Sequence, residues 1–347
     1  MAKASNSVIG IDLGRFSLKS VQLQRKGGNR FAVTNFASHA ATEPVENAEI
    51  LARELKSLLK EMGGNAKACA IGVSYPGALI RIIEQPETPT DILREALRLN
   101  GMALLNQDCK EFVLDCDKIP ASASAAPPED GQPRRHRYLV GGLPRTEVAQ
   151  IGEAIEKMGN TVGAMQVGAV CAFNAFEFAH PETFNNEAFF LVDIGHATTT
   201  VLVGMKRELV LVRTIDFGSQ PLFEALNGLS GEDRDTVFQA LEHEDEVMVE
   251  YTRVALNALV REIQNSIGYL EHRHDETIRQ LYVSGGPARS RTLLKVLSEE
   301  MHIPCETWSA ASKCEAALPA AQRESFEREA MDLNVACGAA AELLKAS

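Results

Sequence analysis

The sequence has 347 residues, of which 45% are hydrophobic and 24% are charged, and its formal net charge is −12. This length predicts about two domains, each large enough to bury its own core, and the composition is that of a globular protein. The acidic balance argues against a nucleic-acid or anionic-membrane surface, so we expect any phosphate site to be a local cluster.

The start of the chain and the cysteines both favour a cytoplasmic protein. Residues 1–6 are polar and lead directly into an apolar strand, without the hydrophobic region of a signal peptide. No run reaches the ~20 apolar residues that cross a bilayer. The seven cysteines are scattered and include no CxxC pair, which favours reduced thiols in the core over a metal or redox site.

The first 77 residues predict a sheet with a helix packed on it, the first half of one lobe. The predicted elements are strands at 8–13, 18–23 and 31–38, a helix at 46–62 and a strand at 68–73. The strands are rich in β-branched residues, and the helix has apolar side chains at helical spacing before Gly63. The order is therefore β-β-β-α-β.

Residues 78–165 differ in texture and predict an inserted α/β subdomain. Its predicted elements are a helix at 91–99, strands at 111–116 and 138–142, and a helix at 145–158. Between the strands, residues 120–137 contain Ala-Ser repeats, two adjacent prolines and a basic end, a composition typical of a flexible loop. We interpret the basic end as a solvated tip in preference to a binding patch.

Residues 166–347 repeat the opening order of elements and predict a second lobe. The predicted elements are a helix at 167–178, strands at 189–194, 198–203 and 209–216, a helix at 246–272, a strand at 281–283 and a helix at 290–301. From Asp12 to Asp193 the repeat distance is 181 residues (193 − 12). A duplicated fold is expected to bind its ligand between the two copies.

A phosphate-binding hairpin is predicted where the first strand ends. Asp12 and Gly14 follow an apolar run, and this order allows a sharp bend whose backbone N–H groups point at phosphate oxygens. Asp12 would orient waters on a Mg²⁺ ion, which keeps much of its hydration shell. Ser17 and Lys19 share one face of the next strand, where the ammonium would balance phosphate charge. Taken alone, the motif also fits an ordinary β-hairpin turn.

Two further motifs add to this chemistry in the second half of the chain. Asp193 and Gly195 end another apolar strand and precede the hydroxyl groups of Thr198 and Thr199. Later, a strand runs into the glycine pair at 285–286, which leaves no side chain between the backbone and a flat ligand. The helix that follows would bring its positive N-terminal end to the same place.

These three motifs, in this order, resemble those of the actin-like ATPase superfamily, which includes heat-shock 70 chaperones and sugar kinases. Residues 10–19 resemble its first phosphate loop, 193–200 its second and 284–289 its adenosine motif. Helices at 167–178 and 333–345 are similar to the two that cross at its hinge. The resemblance implies an α/β, duplicated actin-like (ribonuclease H-like) fold, with two lobes around a nucleotide cleft and an inserted subdomain.

Within that superfamily the chain resembles the PilM family of type IV pilus assembly proteins. The family's Asp-Ile-Gly-Ser-Ser-Ser-Val-Lys is similar to residues 12–19, and further signatures are similar to 192–200, 213–218 and 262–266. The resemblance implies ATP and Mg²⁺ as cofactors, with Asp12 and Asp193 holding the metal through water. The implied nucleotide-binding residues are Asp12, Gly14, Arg15, Phe16, Ser17, Lys19, Asp193, Gly195, His196, Thr198, Thr199, Gly218, Glu262, Ser266, Gly285, Gly286 and Ala288.

Three positions qualify this resemblance. Arg15 and Phe16 replace small hydroxyl residues at the tip of the first loop, and Gly218 is followed by Ser219 where the family has a second glycine. Both departures favour nucleotide binding over efficient turnover. His196 is compatible with positioning water, although a structural or solvent-facing turn histidine is the simpler interpretation.

The resemblance implies an ATP-binding scaffold of type IV pilus assembly, or of a related type II secretion-like machine. It would dock the N-terminal cytoplasmic tail of a PilN-like inner-membrane protein between the first subdomain and the insertion. The protein would be cytoplasmic, held near the inner membrane by that partner and other assembly components. No nucleic-acid partner and no direct membrane insertion are expected, and self-association is left open.

Two alternatives remain at this point. An active ATPase or small-molecule kinase needs a positioned base, and no convincing catalytic Asp stands out in the sequence. An FtsA-like, filament-forming cell-division protein would carry a basic amphipathic tail after its last helix, whereas here the sequence ends at Leu343-Leu344-Lys345-Ala346-Ser347.

Overall fold

The computed structural model of the protein describes residues 6–28, 30–74, 77–119, 135–242, 245–274 and 276–346. Its strands are β1 (Ser7–Leu13), β2 (Ser17–Gly27), β3 (Arg30–Ala40), β4 (Ala68–Val73), β5 (Leu79–Pro86), β6 (Phe112–Lys118), β7 (Arg135–Pro144), β8 (Thr161–Val167), β9 (Ala188–Ile194), β10 (Thr199–Met205), β11 (Glu208–Ile215), β12 (Leu281–Ser284), β13 (Cys305–Thr307) and β14 (Glu315–Ala316).

Helices alternate with these strands along the chain. They are α1 (Ala48–Met62), α2 (Thr90–Leu99), α3 (Gly101–Leu105), α4 (Arg145–Lys157), α5 (Gly168–Ala179), α6 (Pro181–Asn186), α7 (Ser219–Ser230), α8 (Arg234–Glu242), α9 (Glu246–His274), α10 (Arg291–Met301), α11 (Ala320–Glu329) and α12 (Asn334–Lys345). Single 3-10 turns lie at Gly286–Arg289, Ala311–Lys313 and Ala330–Leu333.

The first main sheet has the strand order β14-β3-β2-β1-β4-β8. Strand β1 is antiparallel to β2 and parallel to β4, and it is buried on both faces, from Val8 to Leu13, as expected for a central strand. Helix α1 packs on this sheet. It begins at Asn47, whose side chain accepts hydrogen bonds from two first-turn amides, and ends at Gly63 with φ 66°.

The inserted subdomain is smaller than the predicted range of 78–165. Its sheet has the order β5-β7-β6, and its separate core includes Leu93, Leu97 and Tyr138. Helix α4 instead shares the core of α1 and β1, and β8 pairs with β4. Strand β8 is therefore part of the first main sheet, and the apolar face of α4 is buried in the core of that sheet.

The predicted loop at 120–137 also ends earlier than expected. Residues 135–137 are the first residues of β7, paired with β5, so the basic end of the loop is partly a strand. Residues 120–134 lie outside the described part of the chain.

The second main sheet repeats the topology of the first. Its order is β11-β10-β9-β12-β13, with β9 antiparallel to β10 and parallel to β12, as β1 is to β2 and β4. The predicted strands and the long helix α9 are confirmed. Helix α7 was not predicted. Its Pro221 lies in the first turn, where a proline displaces no hydrogen bond of the helix.

The chain divides into two compact units, Met1–Phe178 with Ala310–Ser347, and Ala179–Ser309. Helix α12 and nearly all of α5 fall in the first unit, whereas the sequence interpretation placed both with the second lobe. Helix α12 belongs to the first unit because its backbone packs closely against β1 and α5. A Cβ on Gly10 of β1 would lie 1.9 Å from the Ala336 carbonyl oxygen, and one on Gly338 would lie 1.9 Å from that of Cys171.

The Gly338 contact predicts a specific loss of stability. We expect Gly338→Ala to lower the free energy of unfolding by about 1–3 kcal/mol, since the new methyl forces α12 away from α5. Gly152→Ala, in helix α4, is the matched control because a Cβ there meets nothing within 4 Å. It should be neutral or stabilise by up to ~1 kcal/mol. Urea unfolding measures both, and equal effects would contradict the packing argument.

Candidate functional site

The first predicted phosphate loop is a tight turn between β1 and β2. The Gly14 amide donates to the Ser17 carbonyl oxygen at 3.2 Å, and a Cβ on Gly14 would lie 2.7 Å from that same oxygen. The carbonyl oxygens of Arg15 and Phe16 accept hydrogen bonds, at 2.8 and 3.0 Å, from amides in the segment after β3. The bulky tip is therefore anchored to the first unit.

Asp12 is a buried carboxylate with one oxygen left over. It is only 5% exposed, and its Oδ2 lies 3.3 Å from the ammonium of Lys19, the residue opposite it in the hairpin. Its Oδ1 is buried and has no hydrogen-bond partner among the described residues. Such an oxygen is costly to leave unsatisfied, so this position fits a ligand that brings a water or a cation.

The Asp12 carboxylate also affects the Cys171 thiol in helix α5. Burial raises the pKa of the Cys171 thiol well above its usual value, and the nearby Asp12 carboxylate raises it further. The thiol is therefore protonated and donates to Gln166 Oε1 at 3.3 Å. All seven cysteines are free, and five of them are buried.

The second predicted loop has the same geometry at the same place in its own sheet. The Gly195 amide donates to the Thr198 carbonyl oxygen at 2.9 Å. Asp193 is held differently from Asp12, since its Oδ1 accepts from the Ser284 hydroxyl at 2.7 Å. The Thr199 hydroxyl is fully buried and donates to the Phe217 carbonyl oxygen at 2.7 Å, so it stabilises the turn.

Helix α7 holds the second loop from the other side. The amides of Ser219 and Gln220 donate to the carbonyl oxygens of Gly195 and His196 at 2.8 and 2.9 Å. A Cβ on Gly218 would lie 2.4 Å from the His196 carbonyl oxygen, which explains a glycine there. The next position needs only a free amide, so Ser219 fits where the related pattern has glycine.

The two glycines after β12 have different surroundings, since Gly285 packs against the backbone of β9 and Gly286 borders open space. Gly285 has φ 91°, and a Cβ on it would lie 2.2 Å from the Ile194 carbonyl oxygen. A Cβ on Gly286 would meet nothing within 4 Å. The Ala288 amide turns back to the Gly285 carbonyl oxygen at 3.0 Å. The open space beside Gly286 is where a flat group would fit.

An apolar slot lies next to Gly286, between helices α7 and α8. The Phe223 and Phe238 rings stack 6.0 Å apart along it, and the Arg234 guanidinium lies 5.2 Å from the Phe223 ring centre. Its volume of about 20 Å³ holds about one water. A nucleobase would therefore enter only if Phe238, which is 41% exposed, swings outward.

Two predicted nucleotide-binding residues on α9 have other partners. Arg213 donates to Ser266 Oγ at 2.9 Å and to Glu262 Oε2 at 2.7 Å. Ser266 in turn donates to the Glu262 carbonyl oxygen at 2.8 Å. These contacts tie α9 to β11, and a direct nucleotide contact by Glu262 or Ser266 stays a prediction.

The sequence analysis placed Ser284 in the adenosine motif but did not predict its contact with Asp193, and it missed helix α7. Ser284 is 91 residues from its partner Asp193, and no local pattern reports such a pair. Helix α7 had a usable signal in Leu222, Phe223 and Leu226, which share its buried face. The predicted residues from Asp12 to Lys19 thus meet in the first unit, and those from Asp193 to Ala288 belong to the second.

No three His, Cys, Asp or Glu side chains among the described residues cluster as a direct metal site. A Mg²⁺ ion would therefore need water or phosphate oxygens as most of its ligands. No helix in this part of the chain has the length and hydropathy to cross a bilayer.

Comparison with known proteins places this geometry in context. The family model of the type IV pilus assembly protein PilM matches residues 10–343. A solved PilM–PilN type IV pilus biogenesis complex is similar over 99% of both chains, with TM-score 0.77 and 18% identity.

Two further solved structures share the fold more distantly. They are a diol dehydratase-reactivating factor (TM-score 0.55, 9% identity, 98% of this chain and 100% of that one) and the ethanolamine utilization protein EutJ from Carboxydothermus hydrogenoformans (0.51, 12%, 95% and 89%). Together these likenesses show the α/β fold of actin-like ATPases.

The second loop yields a prediction for His196. Burial lowers its pKa below 6.5, and repulsion from Arg234 lowers it further against a hydrogen bond with Gln220. We expect the imidazole to be neutral at pH 7, with an NMR titration midpoint below 6.5, and His196→Gln identifies the signal. A midpoint at or above 6.5 would contradict the burial of this ring.

Proposed function

The chain belongs to the family of the type IV pilus assembly protein PilM, and we propose that it is an ATP-binding scaffold of pilus assembly. The observation that carries this proposal is the duplicated Asp-x-Gly hairpin, in the same position of two sheets with the same topology. Each turn closes with an amide-to-carbonyl bond from its glycine, at Gly14 and at Gly195. A turn of this kind suits a phosphate group.

The residues present fit a Mg²⁺-bound nucleotide. The unsatisfied Oδ1 of Asp12 would accept a hydrogen bond from water on the metal, and the Asp193 carboxylate would have the same role in the second hairpin. The turn at Gly14 and the hydroxyl of Ser17 would contact phosphate oxygens. The open backbone at Gly286 would take the base or ribose. Bound ATP supplies a γ-phosphate that distinguishes two states, and the proposal does not require rapid turnover.

The proposed partner is the N-terminal cytoplasmic tail of a PilN-like inner-membrane protein, docked where the insertion meets the first subdomain. At that junction Glu147, in the first turn of α4, has a buried Oε2 without a hydrogen-bond partner among the described residues. Its Oε1 would be 3.6 Å from a Cβ on Gly77, at the start of the insertion. A tail N–H or basic side chain would satisfy this oxygen.

This arrangement would place the protein in the cytoplasm, held at the inner membrane by its partner. Nucleotide can regulate docking only if the tail has different affinities for the nucleotide-bound and free states. Other assembly components and self-association are compatible with the same scaffold role.

The nucleotide proposal predicts the effect of removing each carboxylate charge. Asp12→Asn and Asp193→Asn should each weaken binding of a fluorescent ATP analogue with Mg²⁺ by about tenfold or more, the scale of one charged hydrogen bond. Without Mg²⁺ the variants should differ little from wild type. Asp117→Asn, on the exposed side of β6, is the matched control. Unchanged Mg²⁺-dependent affinity in both variants would sink the assignment.

The docking proposal predicts a role for Glu147. A peptide with the N-terminal cytoplasmic tail sequence of a PilN-like protein should bind the full chain in calorimetry, with affinity that changes when Mg²⁺-ATP is added. Glu147→Gln should weaken it by about tenfold, since it removes an acceptor charge. Glu156→Gln, exposed on the same helix, should not. Equal affinities in all three proteins would argue against this junction.

A further inference from the structure

A polar pocket lies in the first unit, at the end of the main sheet opposite to the first loop. It opens beside the start of β1 and the segments that lead into β4 and β8, between the last turns of α1 and α4. Its volume of about 560 Å³ is within the range of small-molecule sites. The floor is apolar, and its rim is formed by Lys56, Lys60, Lys67 and Lys157 with Asn65 and Asn160.

The lysines of the rim are poorly neutralised. Lys56, Lys60 and Lys67 form no side-chain hydrogen bond or ion pair with any other described residue, and all three are exposed. Lys157 pairs with Glu153 at 2.7 Å. The net charge of the whole chain is −12, but this pocket is lined by four lysines and by no Asp or Glu. The local charge is therefore positive.

Helix ends account for only part of this charge. The carboxyl ends of α1 and α4 both reach the pocket, and each is equivalent to about half a negative charge. These two ends together offset about one lysine, and Glu153 offsets another. A surplus of about two positive charges remains over an apolar floor that includes Ile9 and Met62, which are 2% and 3% exposed.

The wall that presents Lys67 is held in place without a ligand. Gln22 Oε1 accepts from the amides of Asn65 and Ala66 at 2.9 and 3.0 Å. The Asn160 side chain donates to the Ala66 carbonyl oxygen at 3.1 Å. A Cβ on Gly64 would lie 2.5 Å from Gln22 Oε1. A preformed wall reduces the ordering cost of binding, and its occupied backbone groups are closed to a peptide strand.

We propose that this pocket binds a phosphate-bearing ligand with a short apolar part. The ammonium groups would surround the phosphate, as lysine does when it acts as a point charge, and the carbon skeleton would lie on the apolar floor. A phosphate fits better than an acidic peptide because the pocket has the size of a small-molecule site and the Asn65 and Ala66 amides of its wall already donate to Gln22. The proposal is independent of the nucleotide loops, since the first loop lies at the other end of this sheet and the second belongs to the other unit.

The ligand has two possible sources, an anionic phospholipid headgroup or a soluble phosphate ester, and one experiment separates them. The full chain is tested by flotation with phosphatidylcholine vesicles, with and without phosphatidylglycerol, and by calorimetry with glycerol 3-phosphate. Binding of phosphatidylglycerol vesicles alone assigns the headgroup, and binding of glycerol 3-phosphate assigns the soluble ester. Wild type that binds neither probe overturns the proposal.

Paired double variants test the site itself. Lys56→Gln with Lys67→Gln should weaken binding about 30-fold, or about fivefold for each lysine, and the loss should shrink as salt is added. Lys110→Gln with Lys313→Gln makes the same change of charge at exposed positions outside the pocket and should stay within about twofold of wild type. Thermal unfolding checks that both fold. Since the nucleotide loops could also take phosphate, only the difference between the two variants counts, and equal losses overturn the proposal.

Discussion

The close approach of α12 to β1 is the contact on which the first unit most depends, because it joins residues from the two ends of the chain. The backbones meet at Gly10 and Ala336, and α12 meets α5 at Gly338 and Cys171, with no room for a Cβ at either glycine. Such close packing holds α12, β1 and α5 in fixed positions relative to one another. Strand β1 carries Asp12 at its end, so the position of the first loop follows from this contact.

The two Asp-x-Gly hairpins solve one electrostatic problem in two ways. A carboxylate at the end of a buried strand needs a partner. Asp12 has the ammonium of Lys19 across the hairpin, whereas Asp193 has the hydroxyl of Ser284 from the neighbouring parallel strand. The first pair carries a compensating charge and the second does not. The duplicated hairpins are thus alike in backbone and differ in these partners.

Regular elements were predictable where their pattern is local. The strands around Asp12 and Asp193 and the end of α1 at Gly63 follow from apolar runs and from a glycine at positive φ, which depend on near neighbours in sequence. The sequence could not assign α4 to a core, because its amphipathic pattern suits either one. Only packing shows that its apolar face, with Ile151 and Ile155, joins the core of α1.

The sequence by itself determined the family, the two hairpin turns and the candidate phosphate-binding residues, since each depends on a short stretch of residue types in a set order. Tertiary structure decided which unit receives α12, which partner holds Asp193, and that lysines from α1, α4 and the segment before β4 converge on one pocket. The physical reason is the distance along the sequence over which each interaction acts. Backbone preference and periodic burial act over a few residues, whereas these contacts join segments tens to hundreds of residues apart, and the packed fold alone brings them together.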